Sequence, residues 1–320
     1  MVNLVNVEQS NAQIAKRKHT RNIAVFVGAT NGIGEATLEI MASLLHAPTF
    51  YVVGRSAARF ERQRKRLAEV NADAKIIFIE DEISLIAGVD RACKQIRAAE
   101  DHVDYLYMSS GSLPLAGPEY TSEGLEACFT VSYFARMRFV SNLLPLLRKA
   151  PNPRVLSVLN AGKEAKLDED DLGLVQTWGV WKMVGHSTTM STLALHHLSE
   201  QEPGIVFIHA YPAFVNTSNP RRRKPPAPPG ILQAVYLKIV SVLMAIAWYF
   251  LAIAPIDSAK RQAYHLTNER YTPGMWRIDN KSEPWGDTAQ TKLVEEYKEQ
   301  GWPARVWDFT ISEWERGLSK

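Results

Sequence analysis

The sequence predicts an α/β chain: a doubly wound parallel sheet in one domain, with a helical, tryptophan-rich extension towards its C-terminal end. Three observations carry that expectation. Short apolar runs alternate with helix-period segments across 22–217. A glycine-rich turn joins the first run to the first helix. All eight tryptophans lie after Thr177, so a regular scaffold is followed by a part of different character. A length of 320 residues suits one large domain. With 46% apolar and 22% charged residues, disorder, collagen and coiled coil are excluded as whole-chain descriptions.

The formal net charge is only +3, and Arg221, Arg222, Arg223 and Lys224 alone account for more than that. No nucleic-acid partner is therefore expected. Cys93 and Cys128 form neither a disulfide framework nor a metal-ligand spacing. No metal is expected, and a reducing, cytoplasmic setting is. Residues 1–21 contain no apolar stretch of the signal-peptide kind. They are expected to be a solvated lead-in carrying Lys16, Arg17 and Lys18.

The elements follow in order. Ile23-Ala24-Val25-Phe26-Val27 has the continuous apolarity of a buried parallel strand. A helix follows over 35–45, with Ile40, Met41 and Leu44 on one face. Further strands are expected at 50–53, 75–79, 103–108, 154–159 and 205–210. Helices are expected at 57–70, 83–99, 123–147 and 183–200. Five prolines and the basic run break regular structure over 219–230. Beyond them 231–254 is strongly apolar, then come a helix over 257–266 and a seventh strand over 274–278. In the tail, Asp287-Thr288-Ala289-Gln290 resembles an acidic capping box, with Gly301 as the stop. Pro303 opens a last helix that Gly317 closes. The expected units are a lead-in (1–21), a Rossmann-type nucleotide scaffold (22–218) and an extension completing the same domain (219–320).

Gly28, Gly32 and Gly34 sit between the first strand and its helix, spaced G-x-x-x-G-x-G. A diphosphate needs a tight turn, close backbone approach and a helix N-terminus aimed at it, and glycines at these points allow all three. The second strand ends in Gly54-Arg55-Ser56, with no acid until Glu61. An acid there would suit the ribose of NAD; Arg55 with Ser56 suits the 2′-phosphate of NADP. The expected cofactor is NADP(H).

Four segments carry a resemblance to the short-chain dehydrogenase/reductase family. Thr30-Asn31-Gly32-Ile33-Gly34 resembles its phosphate-binding turn. Glu82-Ile83-Ser84 sits where the family contacts adenine. Ser110-Gly111 departs from its Asn-Ala-Gly. Pro212 to Thr217, including Val215, resembles its nicotinamide loop, with Ala213 in place of a glycine. Segments such as Asn142-Leu143-Leu144-Pro145 and His209-Ala210-Tyr211-Pro212 look most like a fungal branch common in secondary metabolism. The resemblance implies a hydride-transferring oxidoreductase with an Asn, Ser, Tyr and Lys tetrad. Here Ser132 falls at the asparagine position and Asn160 at the serine position. No Tyr-x-x-x-Lys precedes the sixth strand. One register puts Lys182 at the tyrosine position and His186 at the lysine position, both on one helix face. The other gives Trp178-x-x-x-Lys182, and tryptophan cannot be a general acid. A proton role for His186 and a satisfied helix histidine both remain open. The leading expectation is an NADP(H)-dependent reductase of a carbonyl or imine in a lipophilic small molecule. The missing tyrosine keeps a non-redox isomerase or cyclase, and a catalytically silent NADP-binding protein, as alternatives.

As a helix, 231–254 would be about 36 Å long, enough to cross a bilayer. A seventh strand in the same sheet argues against spanning. Contact with an intracellular membrane surface, and cover over a substrate cleft or a homodimer contact, are the two expected placements.

Overall fold

A computed structural model describes residues 2–17, 21–111, 117–216 and 252–320. The chain runs α1 (Leu4–Lys16), β1 (Ile23–Val27), α2 (Gly32–Leu44), β2 (Thr49–Gly54), α3 (Ala57–Val70), β3 (Lys75–Glu80), α4 (Ile86–Ala99) and β4 (Tyr105–Met108). A short α5 (Ala127–Phe129) passes through a π-helical turn (Thr130–Phe134) into α6 (Ala135–Leu147). Then come β5 (Arg154–Val158), α7 (Val180–Gln201), β6 (Val206–Ala210), α8 (Pro255–Thr267), β7 (Gly274–Ile278), α9 (Ala289–Glu299) and α10 (Trp302–Leu318).

The seven strands are parallel and ordered β3-β2-β1-β4-β5-β6-β7. The order reverses direction between β1 and β4, and a crevice forms there outside the strands' carboxyl ends. Each face has its own core. Ile23, Val25 and Val27 pack with α4, α6 and α7, whereas Ala24 and Phe26 pack with α2 and α8. Because β1 is buried on both faces, it reads as an unbroken apolar run rather than an alternation. Strand β7 lies at the sheet edge and is only half buried over most of its length.

Three expectations change. The lead-in is a helix: Val7 and Ile14, two turns apart, are buried, and Asn11 Nδ2 donates to the Lys260 carbonyl of α8 at 3.0 Å. Sparse apolar residues masked that face, while Lys16 and Arg17 remain exposed. The capping residue of α9 is Thr288, whose hydroxyl accepts from Thr291 N. Gly317 lies within the last turn of α10, against Glu123 and Leu125, instead of ending it. The tail tryptophans fill core positions: Trp302 and Trp314 are buried, and Trp314 Nε1 donates to the Phe134 carbonyl at 3.1 Å. Among the described residues no helix is long and apolar enough to cross a membrane. Residues 217–251, and with them Thr217 and most of the apolar stretch, lie outside the described residues.

Two buried histidines make the fold acid-sensitive. Burial pushes His209 and His265 down to about 3. The unfolded chain takes up protons at both below about pH 6.5. The folded chain does not until about 3, so stability falls as pH drops through that window. Each histidine is expected to cost about 1.4 kcal/mol per pH unit between pH 6.5 and 5. Denaturant titrations at pH 7.5, 6.5 and 5.5 measure this; His265→Gln should reduce the slope by at most about 1.4 kcal/mol per pH unit. A flat profile would contradict neutral burial.

Candidate active site

The glycine turn is packed against the end of β4. Gly28 has φ +85°, and a Cβ there would lie 2.3 Å from Ser110 N. At Gly34 a Cβ would meet the Gly28 carbonyl at 2.4 Å and Ser109 Oγ at 2.6 Å. Gly32, at φ +64°, opens α2, with Asn31 as its cap residue. Asn31 makes no side-chain cap bond to the helix. The N-terminal amides of α2 therefore face the crevice without a capping side chain of their own. The turn, with Thr30 and Ile33 between its glycines, fits a dinucleotide diphosphate by its own shape.

At the end of β2, Arg55 stays half exposed and lies 3.5 Å from Glu82. Ser56 caps α3, its hydroxyl accepting from Arg59 N at 3.3 Å. Glu82 Oε1 accepts from Ser84 N, and Ile83 is buried beside it. Arg55 is thus held only by this exposed ion pair, whereas the Ser56 oxygen accepts from the backbone of α3.

The residues at the carboxyl ends of β4 and β5 are tied together by Arg136 of α6. Its side chain is buried and donates to Ser157 Oγ at 2.7 Å, the Val158 carbonyl at 3.0 Å and the Ser110 carbonyl. Gly111 lies beside this guanidinium. Ser110 Oγ is buried with no partner among the described residues, as an unfilled polar contact would be. Ser132 is buried in the π-helical turn just before α6. Helical departures of this kind recur at functional positions.

Beyond β5 comes the loop that carries Asn160. The Asn160 carbonyl accepts from Lys163 N at 3.0 Å, and Gly162 has φ +80°. The Trp285 ring lies over Gly162, so closely that a Cβ there would be 2.0 Å from it. Lys163 Nζ stands over both Tyr211 and Trp285, 5.5 and 5.4 Å from their ring centroids. Glu164 anchors the loop from beneath. Its carboxylate accepts from Gly162 N, Thr192 Oγ1 and, through both oxygens, Arg277 of β7 at 2.9 and 2.6 Å. Burial alone would raise this carboxyl, but the Arg277 bonds and charge hold it below the usual range.

The start of α7 gathers the other candidates. Lys182 Nζ donates to Asp168 Oδ2 at 2.5 Å and to Thr177 Oγ1 at 2.7 Å. The Asp168 N–H donates to His186 Nε2 at 2.8 Å. Lys182 and His186 therefore meet through Asp168. His186 is buried, and burial followed by the Lys182 charge lowers its pKa. It is neutral near pH 7 and acts here as an acceptor. Trp178 is half buried, its Nε1 without a partner among the described residues. The acidic run 168–171 is a folded loop, because Asp171 accepts from the backbone N–H of Val175, Gln176 and Thr177. Past β6, Pro212 is half buried and Val215 is buried, bridging to Ile253. Ala213 takes φ +61°, the left-handed region a glycine would occupy without strain.

A family model described as short chain dehydrogenase matches residues 22–165. An oxidoreductase of Emericella nidulans, AN1596, is 33% identical, covering 98% of both chains. The chain belongs to the short-chain dehydrogenase family. A second fungal relative, oxidoreductase lepF of Aspergillus flavus, is 31% identical over 100% of this chain and 99% of its own. Among solved structures, an NADPH-bound carbonyl reductase from chicken fatty liver superposes with a TM-score of 0.57 at 14% identity. It covers 84% of this chain and 100% of its own. The reductase YwfH, NADPH dependent and involved in bacilysin biosynthesis, gives 0.58 at 15%, covering 82% and 99%. These two share the fold.

In this short-chain dehydrogenase, three buried or nearly buried charges beside the candidate site were not among the residues the sequence singled out. Arg136 had a legible signal, since it shares a helix face with apolar Val140 and Leu143. The partners Glu164 and Arg277 had none, being 113 residues apart.

Proposed function

We propose that this oxidoreductase is an NADP(H)-dependent reductase of a carbonyl or imine in a lipophilic small molecule, serving secondary metabolism in the cytoplasm. The observation that carries the cofactor is the turn at the α2 N-terminus: Gly28 and Gly34 pack too closely on neighbouring backbone for a side chain, Gly32 takes φ +64°, and no side chain caps the α2 amides. When bound, the dihydronicotinamide supplies a hydride to the acceptor carbon. This chain's residues do the rest. The α2 amides hold the diphosphate, and Arg55 turns from Glu82 to the 2′-phosphate. Glu82 and Ile83 flank the adenine, while Ser110, Gly111, Pro212, Val215 and Thr217 line the nicotinamide side. Asn160 donates its side-chain amide to the acceptor oxygen. Lys182 binds the ribose and supplies the proton that oxygen takes, and His186 positions it by holding the backbone of Asp168, its ion-pair partner. Ser132 and Trp178 complete the tetrad positions. The apolar 231–254 stretch is proposed to cover the lipophilic substrate or touch a membrane surface.

NADPH consumption against a panel of ketones, aldehydes and imines tests the reaction. Tight binding with no turnover across the panel would favour the non-redox alternative. Arg55→Ala is expected to weaken NADPH by about 1.5–3 kcal/mol, the worth of one charge-assisted phosphate contact, and NADH hardly at all. Equal losses, measured by fluorescence titration, would refute the 2′-phosphate assignment. Sedimentation with liposomes, comparing the full chain with one lacking 231–254, tests membrane contact.

A further inference from the structure

We infer that Arg136 is a fixed buried cation that makes the site discriminate against the oxidised, positively charged nicotinamide. This rests on the dinucleotide reading above.

The guanidinium is fully buried, yet among the described residues no carboxylate pairs with it. Its partners are neutral: Ser157 Oγ and the carbonyls of Met108, Ser110 and Val158. A buried charge normally carries a counter-charge, because desolvation without one is expensive. Here carbonyl dipoles alone hold it. Burial lowers it to about 10, still well above neutrality, so the charge persists at working pH. Its field also reaches the neighbouring core, where it helps keep His209 unprotonated.

The position gives the charge a use. The carbonyls it bridges end β4 and β5, on the side of the crevice where the sheet order reverses. Ligands of open α/β sheets bind outside those strand ends. NADPH and NADP⁺ share the adenosine and diphosphate and differ by one positive charge, carried on the nicotinamide ring. A fixed cation buried beneath the strand ends opposes that charge and leaves the neutral dihydronicotinamide unaffected. The same field favours negative charge building on an acceptor oxygen. The site thereby loads the reduced form and expels the oxidised one.

Titration of the full-length protein with NADPH, NADP⁺ and 2′,5′-ADP tests this. The wild type is expected to bind NADPH on the order of tenfold more tightly than NADP⁺, the size of one screened charge–charge repulsion. Arg136→Gln should bring that ratio close to one while changing NADPH and 2′,5′-ADP binding by the same factor. Arg136→Lys, which keeps the charge, should preserve the ratio. Should Arg136→Gln fail to fold, a wild-type ratio near one still overturns the inference. Equal wild-type affinities for the two forms, or a ratio unchanged in Arg136→Gln, overturn the inference. Absence of binding by all three ligands would instead overturn the dinucleotide reading.

Discussion

Gly28→Ala is expected to destabilise the fold by about 2–5 kcal/mol and to abolish measurable dinucleotide binding. Two physical costs add. A φ of +85° places an L-residue in the left-handed region, at about 1–2 kcal/mol. The new methyl then lies 2.3 Å from Ser110 N and 2.6 Å from Ser110 Cα, which are backbone atoms. They cannot swing aside as a flexible side chain would, because the Ser110 carbonyl is held by Arg136. Relief must come from shifting the turn or the end of β4, an overpacking cost of about 1–3 kcal/mol. Either shift moves the amides that face the diphosphate. Gly204→Ala is the control, since a Cβ there meets nothing within 4 Å. Urea denaturation and NADPH titration of both variants give the answer. A Gly28→Ala protein within about 1 kcal/mol of wild type, with unchanged binding, would show that the turn is less constrained than its contacts imply.

Glu164→Ala is expected to cost about 3–5 kcal/mol, the usual penalty for removing one partner of a buried ion pair. The Glu164 side chain is fully buried and that of Arg277 nearly so. Without the carboxylate, the Arg277 guanidinium, Thr192 and Gly162 N lose their shared acceptor. Thr192 Oγ1 also touches His209 Nδ1 at 2.9 Å, so the disturbance reaches β6. Catalysis should suffer beyond stability, because the same carboxylate fixes the loop bearing Asn160. A fall in turnover larger than the fall in substrate affinity is the expected signature. Glu164→Gln keeps the shape and should lose less. The pH dependence follows from the lowered carboxyl. The pair's contribution is complete above the ordinary glutamate range and disappears as pH falls through the depressed folded value. A loss below about 1 kcal/mol for Glu164→Ala would mean that the pair holds nothing in place.

The sheet and the phosphate turn were legible in the sequence because their signals are local. A buried parallel strand is an apolar run, and a glycine turn is a spacing. The pairing of Lys182 with His186 was half legible. Helical periodicity puts them on one face, but it cannot show that Asp168, from a preceding loop, stands between them. The tryptophan asymmetry was visible as a count. Core packing of the tail could be read from it but not the partners, because Trp285 reaches Gly162 and Trp314 reaches Phe134 only once distant segments meet. The helical lead-in was misread because Val7 and Ile14 bury against α8, which the chain forms much later.

Strand β7 carries a consequence for how the chain reaches its native state. Strand β6 is buried on both faces and pairs with β5 on one side and β7 on the other. While the chain is being synthesised, Val206–Ala210 can dock on β5 long before Gly274–Ile278 exists. In that interval an apolar strand presents an open edge to solvent, the kind of edge that templates aggregation. The Arg277 that closes this edge also neutralises Glu164, so both the edge and the buried acid wait for the same late segment. Productive synthesis of this protein is therefore expected to depend on how long that half-built sheet stays shielded, so that chaperone supply or slowed translation should change its soluble yield.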